Sequence, residues 1–107
     1  MNLVETKPSE LGEFQYKKYR LTMHLYQGKK IPALDGNGLC DPFVMVHFNG
    51  EHVRFPVQKN TLNPQWYLTR EMTVKLPSQL SLASDIYISV FDWDLTGTEF
   101  IGGFFLR

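Results

Sequence analysis

Two short stretches of the sequence concentrate its acidic side chains. Residues 34–43, LDGNGLCDPF, carry Asp35 and Asp41, and residues 91–100, FDWDLTGTEF, carry Asp92, Asp94 and Glu99. The chain has only five aspartates, and four of them lie in these two stretches. Asp92 and Asp94, two residues apart, point to the same side of an extended backbone. Carboxylates gathered this closely repel one another and raise one another's pKa, and a hard divalent cation relieves that repulsion. Calcium accepts about six to eight oxygens at roughly 2.3–2.6 Å from carboxylates, backbone carbonyls and water, and five carboxylates on two loops meet that demand. Magnesium asks for a tighter octahedron with fewer carboxylates. Zinc asks for His or Cys, and neither clusters in the sequence.

Plainer readings stand beside this one. Asp and Gly are ordinary turn residues, so DGNG alone reads as a turn. Asp92, Asp94, Thr96 and Gly97 imitate the start of an EF-hand loop, but the twelfth position would be Gly103 rather than Glu. Counting instead from Asp35 puts Cys40 at the sixth position and Val46 at the twelfth, which also fails. Two carboxylates can also form a hydrolase pair. That chemistry needs a substrate cleft lined with stacking aromatics, and acids on the loop tips of a small domain leave little room for one.

The elements that must hold these loops read as strands. Tyr19, Leu21, Met23 and Leu25 share one phase, with Arg20, Thr22 and His24 on the other, which is the period of a half-buried strand. Phe14 and Tyr16 fall in the opposite phase, which predicts a bulge, a turn or a separate strand near Lys17 and Lys18. Further strands are expected at residues 43–48, 52–58, 66–76, 86–91 and 103–106, and Asn49-Gly50 reads as a hairpin turn. Residues 77–84 read as an irregular connection. Trp66, following Asn63-Pro64, reads as the start of a core strand. His24, His47 and His52 fall on separate strands and read as strand-face residues rather than ligands. No segment keeps helical periodicity, so the expected class is all-β, a sandwich or barrel of about seven short strands.

The chain has 107 residues, enough for one domain, and its hydrophobic and aromatic fractions, 43% and 14%, suit a packed core. Residues 1–18 read as an N-terminal arm or linker and residues 19–107 as the domain. Eleven bases balance eleven acids, which speaks against a nucleic-acid binder. No apolar run is long enough to span a bilayer, and the polar start has no apolar signal core. A single cysteine, Cys40, permits no internal disulfide and fits a reducing cytoplasmic setting. Neither a glycine-rich phosphate loop nor a serine nucleophile elbow is present, and Cys40 has no His partner in sequence context, so no enzyme is expected.

Three segments together resemble the C2 domain signature. They are Leu34-Asp35 through Asp41-Pro42-Phe43-Val44, then Lys59-Asn60-Thr61-Leu62-Asn63-Pro64-Gln65-Trp66, then Val90-Phe91-Asp92-Trp93-Asp94 with Phe100-Ile101-Gly102. HLYQGKKIPALDGNGLCDPF and FDWDLTGTEFIG are most similar to ferlin C2 domains, which belong to multi-domain proteins of membrane fusion and repair. The resemblance implies an eight-stranded antiparallel β-sandwich of C2-like Greek-key topology. Its last strand is either missing or replaced by the N-terminal segment around Phe14 and Tyr16. It also implies Asp35, Asp41, Asp92, Asp94 and Glu99 as calcium ligands, joined by the backbone carbonyls of Leu34 and Trp93. Glu99 stands where Asp is usual, in a loop one residue shorter than in many members. Cys40 replaces a common Ser, and Arg70 a core Phe.

From these features follows an expectation of calcium-dependent docking on anionic phospholipid membranes, with the protein cytoplasmic and peripheral on the membrane. The rival expectation is a calcium-independent interaction or interdomain scaffold module. Without its five loop acids the chain carries eleven bases and six acids, a net of +5. The loops therefore repel an anionic surface until cations neutralise them, at about 1 kcal/mol per charge. Leu39 and Leu95 read either as membrane-entering tips or as loop packing. Arg54 and Lys59, with His52 beside them, read either as a basic patch for phosphoinositides or as a solvated strand face. Other domains of a parent protein are a further expected partner class.

Overall fold

The computed structural model of the chain describes residues 2–8, 16–32 and 38–106. Seven strands lie among them: β1 (Asn2–Pro8), β2 (Tyr16–Gln27), β3 (Pro42–Phe48), β4 (Glu51–Arg54), β5 (Gln65–Pro77), β6 (Ile86–Asp94) and β7 (Gly97–Leu106). One turn of 3-10 helix, Leu80–Leu82, interrupts the connection from β5 to β6. The strands form two antiparallel sheets, ordered β1-β2-β5 and β4-β3-β6-β7.

Alternation decides which side chains enter the space between the sheets. Tyr19, Leu21 and Met23 of β2 and Met72, Val74 and Leu76 of β5 face Val44, Val46 and Phe48 of β3, and all are buried. Ile88 and Val90 of β6 pack against this cluster. Trp66 is buried as the sequence predicts, and its indole N–H donates to the carbonyl of Pro56 at 2.7 Å, which satisfies its one polar atom. Asn49 and Gly50 both take positive φ, 49° and 85°, which is the primed turn that suits a two-residue hairpin between β3 and β4.

The structure departs from the sequence reading in four places. Asn2–Pro8, read as part of a polar arm, pairs along β2 from Asn2↔Thr22 to Pro8↔Lys17. Ladder bonds come from the backbone, so a strand at a sheet edge needs no apolar pattern. β2 runs unbroken from Tyr16, and the irregularity expected near Lys17 and Lys18 lies instead in its partner, between Glu5 and Lys7; Phe14 is outside the described residues. The strand expected over residues 52–58 ends at Arg54, because Pro56 has no N–H to continue the ladder. The chain still follows β3, with the amides of Phe55 and Gln58 donating to the carbonyls of Val44 and Pro42 at 2.8 and 2.9 Å. Finally, β7 begins at Gly97, well ahead of the expected Gly103. No eighth strand lies among the described residues.

Two details shape the end of the sandwich that carries the acids. Opposite the β2 step from Leu25 to Gln27, β5 spends an extra residue, and Tyr67 there has φ of 46°. Such a bulge bends the strand and increases its twist. β1 stops opposite Thr22, and beside the rest of β2 a cavity of about 310 Å³ opens between the sheets, lined by residues that include Met23, Leu25, Trp66, Ile88 and Phe104.

Candidate metal centre

Strand pairing brings the two acidic stretches together. Asp41 directly precedes β3, Asp92 and Asp94 end β6, and these strands pair with Pro42 opposite Asp92. The Asp41 amide donates to Oδ1 of Asp92 at 2.9 Å, and the Trp93 amide donates to the Asp41 carbonyl at 3.0 Å. Two aspartates far apart in sequence thus become neighbours, held by backbone hydrogen bonds.

A third loop, between β4 and β5, completes the frame. The Thr61 amide donates to the Cys40 carbonyl at 2.8 Å, and the Ile31 amide to the Leu62 carbonyl at 2.9 Å. Asn60 takes a left-handed φ of 55°, which asparagine tolerates better than most residues, and its amide donates to Oδ1 of Asp41 at 2.7 Å. Cys40 is buried, and its thiol lies 3.6 Å from the Thr61 carbonyl. Sequence reasoning missed Asn60 as a partner of Asp41. Its place in the stretch from Lys59 to Trp66, one of the three resembling segments, was the available signal.

Asp92 is only 2% exposed. Oδ1 accepts the Asp41 amide, while Oδ2 is buried and accepts from nothing. A buried acceptor without a partner costs about 1–3 kcal/mol, and more when it is charged. Its placement asks for a cation.

Asp94 has a different setting. Oδ1 accepts both the amide and the hydroxyl of Thr96, each at 2.7 Å, across the turn that leads into β7. The Thr96 hydroxyl, then the Thr96 amide, hold this exposed carboxyl below its ordinary pKa, with a smaller contribution from the Gly97 amide. Sequence reasoning missed Thr96 as the partner of Asp94. Glu99 lies opposite Asp92 in the β6–β7 ladder and is exposed. Directly opposed residues share one face of a sheet, so Glu99 stands on the Asp92 side despite its shorter loop.

Asp35 and Leu34 lie outside the described residues. Among the described residues no three His, Cys, Asp or Glu side chains already converge as a metal cage. What is described is a hard-oxygen donor set: Asp41 and Asp92 in contact, Asp94 two residues on, Glu99 across the ladder. In kind it fits calcium, and the unpartnered Oδ2 is the atom that a cation would satisfy.

The other expected residues surround this set. Leu95, at the tip of the turn, is 93% exposed and Leu39 is 39% exposed. The ammonium of Lys59 lies 5.6 Å from the centre of the Trp93 ring, and the guanidinium of Arg54 lies 4.2 Å from that of Phe43. Arg70, in the place of a core aromatic, is exposed. Each of the two cations lies over its own aromatic ring.

The model of the family described as C2 domain matches residues 19–107. The chain is 30% identical over 78 residues to "Ferlin 1" of Toxoplasma gondii, covering 73% of this chain and 6% of that protein. It is 36% identical over 89 residues to "Multiple C2 and transmembrane domain-containing protein 2" of Mus musculus, covering 82% of this chain and 10% of that protein. A solved pair of C2 domains from extended synaptotagmin 2 matches with a TM-score of 0.71 at 20% identity, covering 96% of this chain and 34% of that one. The calcium-bound form of that pair matches at 0.67 and 21% identity, covering 82% of this chain and 34% of that one. The chain therefore belongs to the C2 domain family. It spans a tenth or less of the two curated relatives named above. No helix among the described residues is long and apolar enough to cross a membrane.

Proposed function

We propose that the chain is a calcium-dependent module that docks on anionic phospholipid membranes, as one C2 domain of a larger ferlin-like trafficking or fusion protein. The observation that carries this reading is the buried, unpartnered Oδ2 of Asp92 beside Asp41. A buried carboxylate oxygen with no donor gains most from a bound cation. In this reading Asp35, Asp41, Asp92, Asp94 and Glu99 hold the ion, with the backbone carbonyls of Leu34 and Trp93. Bound calcium supplies positive charge and coordination positions for lipid phosphate.

The chain's own residues do the rest. The Asn60 amide holds the Asp41 carboxylate and the Asp41 amide holds that of Asp92. Thr96 holds the Asp94 carboxyl below its ordinary pKa. Leu95, almost fully exposed at the turn tip, enters the headgroup region, where each buried CH₂ contributes about 0.8 kcal/mol. Lys59, resting on Trp93 next to Asp94, adds attraction to the same surface. The calcium-bound pair of C2 domains from extended synaptotagmin 2 supports this reading by its shared fold.

Co-sedimentation with phosphatidylserine-containing vesicles tests the proposal. Binding is expected in calcium, with loss in chelator and on vesicles of phosphatidylcholine alone. Equal binding in calcium and chelator would replace this reading with the calcium-independent one. One observation favours that second reading: Phe100, Phe104 and Phe105 of β7, at the edge of its sheet, are each more than half exposed and would suit contact with another domain.

A further inference from the structure

The β3–β4 hairpin carries a pair of imidazole side chains at the far end of β3 from the acidic loops. Its primed turn at Asn49-Gly50 closes with Phe48 opposite Glu51, so the next pair is His47 opposite His52. In a two-residue hairpin the pair flanking the turn exchanges hydrogen bonds. The pair after it is therefore of the kind whose Cα atoms approach to about 4.5 Å, with side chains closest. The two imidazole centres lie 5.8 Å apart with their planes inclined by 36°.

We propose that His47 and His52 bind a divalent transition-metal ion, copper(II), nickel(II) or zinc(II), through one ring nitrogen each. An ion held at about 2.0–2.1 Å from both nitrogens leaves the ring centres roughly 5 Å apart. The rings reach that separation from 5.8 Å by small rotations about their side-chain bonds. Tyr87 flanks His47 on its other side at 6.3 Å and is itself packed on Phe105 at 4.7 Å, so the His47 ring is braced. His52 is exposed, which gives the ion and its remaining water ligands access. The cation on the same face, Arg54, has its guanidinium engaged over Phe43.

Imidazole pairs select borderline transition metals, whereas calcium selects oxygen. From Pro42 to His47 the strand rises by roughly 17 Å, so this site and the acidic loops take different ions at separate places. The ion would clip β3 to β4. The inference is independent of the membrane reading, since it uses none of the loop acids.

The test is calorimetric titration of the untagged chain with zinc chloride and with nickel chloride, in saturating calcium so that the acidic loops are already occupied. One saturable equivalent is expected for the native chain. The same is expected for His24→Gln, since His24 lies in the other sheet, bonded to Thr69. His47→Gln and His52→Gln should each abolish saturable binding while keeping a native-like cooperative melting transition in chelator, which reports that they are folded. In the native chain, nickel(II) should broaden the ring resonances of His47 and His52 together and leave those of His24 sharp. Zinc binding that survives His52→Gln, or a native chain with no saturable binding, would overturn the proposal.

Discussion

Replacing Asp92 with asparagine should make the domain at least as stable as the native chain without metal and less stable with calcium. In the native chain the carboxylate is almost wholly buried, one oxygen accepts the Asp41 amide and the other accepts from nothing. The asparagine side chain keeps an oxygen for the Asp41 amide and removes the charge. An unsatisfied buried polar group costs about 1–3 kcal/mol, more if charged, so Asp92→Asn should gain up to about 1–2 kcal/mol in chelator once its own amide is placed. In calcium the order reverses. A ligand at about 100 times its dissociation constant stabilises the native chain by roughly 2.7 kcal/mol. For a domain of this size that raises the melting point by about 10–20 °C. The variant should show little of that rise. The assay is thermal melting of both chains in calcium and in chelator, and the signature is a crossing of the two orders. Two results would refute the reasoning. One is a variant destabilised by several kcal/mol in chelator, which would make Asp92 a structural group. The other is an equal calcium response in both chains.

Three further outcomes follow from the geometry. Leu95→Ala should weaken calcium-dependent vesicle binding by up to about 2 kcal/mol, from three lost carbon groups, while leaving the calcium-induced melting shift unchanged; a loss of the melting shift would place Leu95 in the fold instead. Thr96→Val should raise the Asp94 pKa toward its ordinary value, because it removes the hydroxyl that contributes most to lowering it. The sign follows from linkage: a carboxyl depressed in the fold adds stability above its unfolded value, and that stability fades as pH falls through the lower folded value. Carboxyl ¹³C NMR titration checks it, and an unmoved Asp94 would contradict the assigned cause. Gly103→Ala should destabilise by about 1–3 kcal/mol. A Cβ there would meet the Tyr87 hydroxyl and lie 2.7 Å from Tyr87 Cζ and 2.9 Å from the Ile88 carbonyl oxygen, which is backbone and cannot swing aside. A melting point equal to the native one would show that the β6–β7 ladder yields.

Much of this arrangement could be read from residue types. The alternation of Tyr19, Leu21 and Met23, the Asn49-Gly50 turn and the burial of Trp66 each follow from local pattern, and the structure agrees. The conjunction of Asp41 with Asp92 and Asp94 was legible because each acid ends or precedes an apolar strand that must pair in the core. β1 was not legible, because an edge strand is held by backbone bonds that leave no periodicity. Nor was the amide of Asn60 on Asp41, since a main-chain donor has no sequence signature beyond a residue that tolerates positive φ. The His47–His52 pair was legible in principle: the two residues stand symmetrically about Asn49-Gly50, and a two-residue turn makes such positions partners. Reading the histidines strand by strand missed it. The Tyr67 bulge depends on tertiary strand pairing and left no local mark.

The most direct test of the calcium centre is a calcium titration followed by backbone amide NMR. Calcium should shift the amides of Asp41, Asn60, Trp93 and Thr96 together, saturably and with one common affinity, while the amides of Thr69 and Thr73 on β5 stay in place. Amides of the three loops that ignore calcium, or move only in step with the rest of the surface, would contradict the proposed metal centre and with it the membrane function.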